Sequence, residues 1–490
     1  MRALCVLLLI GCGDDVTSMM MPGPPGASPD AGPPGATPDA SVPTSDASIP
    51  APDAAAPDEC TNIAPTSDAM ANWQTIQTCL DQKGHALLAP GTFPIAQGLS
   101  VPGSGQLTGP ATLVLQPGNG GNFMLHFAAD SPADAKARIA HLTLNAHNAI
   151  DGAANAAIVH MGTNNARIED CDLGNDGAPR VGHHEAAVYV ICESCTGNEV
   201  VGSRLHDTFY GIIFHPPTAQ AVNVIDSSEI HDTKCDAITF AGYGVATNNR
   251  IHEMGSDCEN GPIPGAGVYT LLNSVGGMIS GNTVWNSCGH GFDMDRSANF
   301  TIENNHVYDP GYTWNGAAPW CGGAAAAFLL DMSGCTIRGN TFENSGRPQN
   351  RVDDSNQVMH AIGAPAFSDL PQGGQQVIAF VLARRPQSGG TTQNTVADNS
   401  FHASCSGGGC TGLGWFTSRG TGYDGATWSA ATTNYFTGNN PFGSDVGSKR
   451  CGGNWYAANS TCGAGAAAPC NQDDYQHTAD WERSDACYQY

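Results

Sequence analysis

One eight-residue phrase returns along this chain. Residues 200–207 read VVGSRLHD, 225–232 read IDSSEIHD, 279–286 read ISGNTVWN, 302–309 read IENNHVYD and 337–344 read IRGNTFEN. A second short phrase follows several of them, as in Gly211-Ile212-Ile213-Phe214 and Gly291-Phe292-Asp293-Met294. A unit that recurs every few dozen residues marks a stacked array. The apolar positions alternate with period two, and the runs are too short for helices. Gly, Asn, Asp and Ser punctuate them, as turn residues do. Counted from Leu205, the equivalent residues are Ile230, Ile251, Val284, Val307 and Phe342, at steps of 25, 21, 33, 23 and 35. A propeller would repeat more evenly with four strands per blade. The pattern predicts an all-β solenoid whose coils stack at about 4.8 Å.

The phrases resemble those of the right-handed parallel β-helix superfamily that includes pectate lyases, polygalacturonases and alginate epimerases. Asn282 and Asn340 fall where that family stacks an asparagine ladder. Trp73, Ile76 and Leu80 form one helical stripe, and residues 86–93 (ALLAPGTF) are similar to the first coil that follows the family's capping helix. The resemblance spans roughly residues 66–440. It implies a fold that serves lyases, hydrolases, epimerases and non-catalytic adhesins alike.

The organisation is expected to be fourfold. Residues 1–12 resemble a bacterial lipoprotein signal, in which Leu9-Ile10-Gly11 precedes a lipidated Cys12. Residues 13–59 are rich in Pro, Ala, Gly and Asp, the composition of a disordered tether. Residues 60–440 would form the β-helix, and residues 441–490 a cysteine-rich cap over its last coil. The localisation that follows is the bacterial cell envelope, with the membrane reached through the lipid alone. The chain has 18 cysteines, and 16 remain without Cys5 and Cys12, an even number that suits disulfides in an oxidising compartment. Close pairs such as Cys60–Cys79, Cys405–Cys410, Cys451–Cys462 and Cys470–Cys487 suit that reading, though spacing leaves the connectivity open, and Cys192–Cys195 is read as a disulfide in preference to half of a zinc site. The protein is expected to be a monomer.

A net charge of −26 argues against nucleic acid. It also weighs against a polyanionic glycan, unless a basic patch or Ca²⁺ intervenes.

Long insertions at about 174–185, 254–265, 310–325 and 345–376 follow the repeated phrase, and loops at one point of a repeat build one wall. Tyr312, Trp314 and Trp320 on that wall offer faces for sugar rings. With Ile212, Ile238, Val268, Phe292 and Phe328 facing in, the next residues out are Ile213, Thr239, Tyr269, Asp293 and Leu329. Two further along come His215, Ala241, Leu271, Asp295 and Asp331. This alignment sets Tyr269 beside Asp293, and Asp295 beside Asp331, with His290 close by. Tyr269, His290, Asp293, Asp295 and Asp331 are the candidate catalytic residues. His215 and Arg296 join the three loop aromatics as candidate substrate contacts. Paired carboxylates serve as acid and base for glycoside hydrolysis. Alternatively Asp295 and Asp331 would hold Ca²⁺. A lyase or epimerase would instead need Arg296 or Lys234 to neutralise a uronate, with Tyr269 or His290 moving the proton.

Gly289-His290-Gly291 resembles a polygalacturonase motif, but the paired-aspartate position holds Cys235-Asp236, so that assignment is rejected. His290-Gly291-Phe292-Asp293 to Arg296 is loosely similar to a stretch of mannuronan epimerases. His206-Asp207, His231-Asp232 and His252-Glu253 form a further column, read as a solvated turn column in preference to a metal site. The sequence thus points to a surface-anchored protein that binds and cleaves or modifies polysaccharide. A non-catalytic adhesin or glycan-binding scaffold is the competing class.

Overall fold

The computed structural model describes residues 59–457, except 118–120, 151–155, 176–184, 193, 216–220, 256–264, 271–273, 312–323, 347–374, 384–392, 405–409, 418–434, 438–447 and 452–453. Cys12, Tyr312, Trp314 and Trp320 lie outside the described residues, as does most of the expected cap.

The chain opens on a helix, Ala69–Lys83. Asp68 caps it by accepting hydrogen bonds from the amides of Met70 and Ala71, and Gly84 ends it at φ 70°. Its buried stripe of Asn72, Ile76, Cys79 and Leu80 closes the first coil. A disulfide from Cys79 to Cys60 fixes the approach. Cys192 and Cys195 form a second disulfide, whereas Cys171 and Cys335 are buried free thiols. Among the described residues, no helix is long and apolar enough to cross a membrane.

Beyond the helix the chain winds as a right-handed parallel β-helix. Among the described residues, eleven parallel strands form one sheet, and twenty-one form another. The larger sheet bends into two columns, one carrying Glu199–Val201 and Val224–Asp226, the other Arg204–His206 and Glu229–His231. A small antiparallel hairpin, Ser448–Cys451 with Asn454–Ala457, lies near the C-terminal end.

The register explains the repeated phrase position by position. Leu205, Ile230, Ile251, Val284, Val307 and Phe342 are level on successive strands and fully buried. Each removes apolar area from water for roughly 1.5–3 kcal/mol. Two residues before each of them stands a hydrogen-bonding side chain in the bend. Asn249, Asn282, Asn305, Asn340 and Asn399 each accept, through Oδ1, the backbone amide one coil earlier, at 2.9–3.0 Å. Ser203 and Ser228 extend the same ladder toward the N-terminus. The residue before each ladder position bends the chain: Asn248, Asn304, Gly202 and Gly281 all have φ between 56° and 68°. At Gly281 a Cβ would stand 2.6 Å from Asn248 Oδ1, so a side chain there would displace that amide.

The last letters of the phrase build a second ladder. The rings of His206, His231, His252, Trp285 and Tyr308 stack nearly parallel, at centroid spacings of 4.4–5.9 Å. Asp207, Asp232, Glu253, Asn286 and Asp309 follow them at φ 49–58° and turn the strand away. Asp207, Asp232 and Glu253 each bind the histidine ring beside them. Asp207 contacts His206 Nδ1 at 2.7 Å, and Asp232 contacts His231 Nδ1 at 2.6 Å. Asp172 contacts His206 Nε2 at 2.8 Å.

Burial works to lower the His206 pKa, but hydrogen bonds to Asp172 and Asp207, with their charges, outweigh it and raise it to about 9. A raised value means that the folded state holds the extra proton. This contribution is therefore complete below the ordinary histidine value and disappears as pH rises through about 9. Between pH 6 and 10 the urea midpoint is expected to fall, by about 1–2 kcal/mol of stability after solvent screening. His206→Gln is expected to flatten that slope, and an unchanged slope would assign it to other groups.

Candidate functional site

The eleven-stranded sheet carries the chemistry. Along its strand Phe292–Asp295, Phe292 and Met294 enter the core, so Asp293 and Asp295 project outward. Register sets Asp293 level with Tyr269 on the preceding strand, and Tyr269 level with Thr239. The outward line begins with Ser100, His126, His160, Tyr189 and Ile213.

Outward position does not here mean exposure. Asp293 is 4% exposed and Thr239 is 3% exposed. The Thr239 hydroxyl is buried without a hydrogen-bond partner among the described residues. A buried hydroxyl left unpartnered costs about 1–3 kcal/mol.

His290 is buried, and its ring lies against Phe328 at 4.6 Å and 11°. Burial lowers its pKa to about 3. The Ala325 amide donates to Nδ1 at 2.9 Å, which leaves no place for a proton there. The ring is thus a neutral wall group with its proton on Nε2. Asp236 precedes core residues Ala237 and Ile238 and stands two coils before His290 on the same line of the bend. Burial raises its pKa to about 7, against the Ala266 amide that donates to Oδ1 at 2.8 Å. The sequence reading passed over Asp236 as a site residue. Its available signal was the alignment of Cys235-Asp236 with Gly289-His290 just ahead of equivalent strands.

One coil departs from the expected alignment. Asp293 is level with Phe328, and Asp295 with Leu330. Phe328 therefore faces out and Leu329 in, and Asp331 does not stand beside Asp295. The bend residues Arg296 (φ 46°) and Asp331 (φ 53°) follow that level pair. The proposed Ca²⁺ pair of Asp295 and Asp331 loses its geometric basis. Among the described residues, no group of three His, Cys, Asp or Glu converges to hold a metal. Arg296 lies off the strand, with Nε 3.7 Å from Asp295 Oδ1. Lys234 likewise lies off the strand, in the bend before Cys235. His215 is exposed, edge-on to Tyr189 at a centroid distance of 6.4 Å.

A separate open groove of about 400 Å³ lies on the larger sheet, lined by His141, Asp170, Cys171, Asp172 and Arg204. Burial pushes the Cys171 thiol up to about 11, so it is not a nucleophile at neutral pH.

Residues 218–359 match the family model described as a right-handed β-helix region. No curated protein matches the sequence. Among solved structures, the chain is similar to the A-module of the Azotobacter vinelandii mannuronan C-5 epimerase AlgE4. The identity is 11%, over 75% of this chain and 90% of that one, with a TM-score of 0.47. It is also similar to PfbA, a surface adhesin of Streptococcus pneumoniae, at 9% identity over 81% and 98% of the two chains, TM-score 0.39. A tailspike protein of E. coli bacteriophage HK620, in complex with a hexasaccharide, gives 12% identity over 77% and 75%, TM-score 0.39. These scores are too low to carry a substrate or a reaction across.

Proposed function

We propose that the protein binds polysaccharide along the outer face of the eleven-stranded sheet and hydrolyses it there. The observation that carries this reading is Asp293, outward yet buried, level with Tyr269 and two residues from Asp295 on the same side. Residues two apart on a strand have Cα atoms about 6.6 Å apart and side chains on the same side, which sets two carboxyl groups near one another as glycosidases require. Asp293 would give its proton to the glycosidic oxygen as the carbon–oxygen bond breaks. Asp295 would draw a proton from the water whose oxygen attacks the anomeric carbon. One bond is cleaved, one water is consumed and one new reducing end appears. Tyr269 would orient the sugar beside the acid.

The experiment is to incubate the protein with uronate and neutral glycans. New reducing ends without new double bonds are expected. New double bonds would replace hydrolysis by elimination. The burial of Asp293 and Asp236 favours a second reading, a non-catalytic glycan-binding scaffold or adhesin, for which retention without products is the expected result.

The action is proposed to occur outside the cytoplasm, from a tether lipidated at Cys12. The disulfides Cys60–Cys79 and Cys192–Cys195 support an oxidising compartment. Growth with a labelled fatty acid is expected to label the wild-type chain and not Cys12→Ser; equal labelling would remove the anchor.

A further inference from the structure

The basic residues of the coil are distributed unevenly. None of the eleven strands of the outer-face sheet contains a lysine or an arginine. Their only charged residues are Asp293 and Asp295. The larger sheet carries Arg138, Arg167, Arg204, Arg250 and Arg338, each within ion-pair distance of Glu169, Glu199, Glu229 or Glu303. Strand cations are thus sequestered away from the face that holds the acids.

The outer face also has a polar strip upstream of the acids. Phe123 and His126 pack at 4.4 Å, and His160 meets Tyr189 edge-on at 6.4 Å, as Tyr189 meets His215. Burial lowers the pKa of His126 and that of His160, the latter helped by His126, which favours the neutral ring at both. His160 and His215 make no side-chain hydrogen bond to a described residue, nor does the Tyr189 hydroxyl. Further along the same outward line, Thr239 holds its buried orphan hydroxyl next to Tyr269. From His126 to Asp293 the line crosses six strand spacings, about 29 Å, enough for several sugar units.

Resting on the function proposed above, we infer that the substrate is a neutral glycan, held lengthwise on the strip His126–His160–Tyr189–His215 with its scissile end at Asp293. Hydroxyl-rich, uncharged sugar rings match aromatic edges and ring nitrogens and a hydroxyl that make no side-chain hydrogen bond to a described residue. A uronate chain would lay carboxylates along a face whose strands offer no cation, and toward two aspartates.

The test is calorimetric binding of the full chain to neutral oligosaccharides (cello-, xylo- and manno-series) and to oligogalacturonate and oligomannuronate, at one ionic strength. A neutral series is expected to bind, and His160→Ala and His215→Ala are each expected to weaken it at least tenfold with unchanged thermal unfolding. Ile213→Lys, which adds a cation to the strip, is expected to improve oligouronate binding. Preference of the wild type for a uronate would overturn the substrate class and leave the polysaccharide reading standing. Neutral binding indifferent to both histidine variants would overturn the strip. No binding to any glycan would overturn the polysaccharide reading itself.

Discussion

Asp293→Asn is expected to lower glycan turnover by about 10²–10⁴-fold, the usual worth of a positioned acid or base. The amide keeps the volume of the carboxylic acid but has no acidic proton to give. Asp293 lies between core residues Phe292 and Met294 on a strand paired on both sides, so the substitution leaves the coil's apolar filling untouched. Asp295→Asn should lose comparable activity if it activates the water. Asp331→Asn separates the site from general acidity, because Asp331 stands in the bend beyond the level pair of Asp295 and Leu330. Turnover by Asp331→Asn is expected to remain within about threefold of wild type, as for a residue that touches no reacting atom. Reducing-end assays on the three variants decide the matter. Wild-type turnover in Asp293→Asn would remove that carboxyl from the mechanism. Equal losses in all three would point to a general electrostatic effect.

Where one face of a strand is buried and the other wet, alternation fixes the register. Leu205 through Phe342 were aligned on that signal, and the strands pair as aligned. The same logic placed Tyr269 beside Asp293. It failed at Ala327–Leu330, where all four residues are buried and alternation carries no information. A long insertion before that strand removed the spacing that would otherwise have set the phase. The one-residue slip exchanged Phe328 with Leu329 and created the apparent pairing of Asp295 with Asp331. His206, His231 and His252 were recognised as a column, but their partners were not. Whether an imidazole meets metal, backbone or a neighbouring ring depends on side-chain directions that spacing does not encode, and here stacking and adjacent acids take every ring. Asp236 meets the Ala266 amide and His290 meets the Phe328 ring, each one coil away along the stack, and no local pattern announces those contacts.

Asn305→Ala is expected to destabilise the coil by about 3–5 kcal/mol, a large share of the 5–15 kcal/mol typical of a folded domain. Asn305 is 2% exposed and serves both neighbouring coils. Its Oδ1 accepts from the backbone amide of Asn282 at 2.9 Å, and its Nδ2 donates to the carbonyl of Ile279 at 2.8 Å and to Asn340 Oδ1 at 2.9 Å. Alanine leaves the Asn282 amide and the Ile279 carbonyl in a bend without those partners. Each such buried orphan costs about 1–3 kcal/mol. Serine is the informative control, because the same ladder already uses it at Ser203 and Ser228. Ser228 Oγ accepts the Ser203 amide at 3.1 Å and donates to the Asp226 carbonyl at 3.0 Å. Asn305→Ser should therefore recover much of the loss. Because each coil touches only its neighbours, the break is also expected to weaken coupling between the coils before and after residue 305. Urea unfolding, with amide exchange followed on both sides of the substitution, reads both effects. Equal stability of the alanine and serine variants would show that the hydrogen-bonded ladder is not what holds these bends.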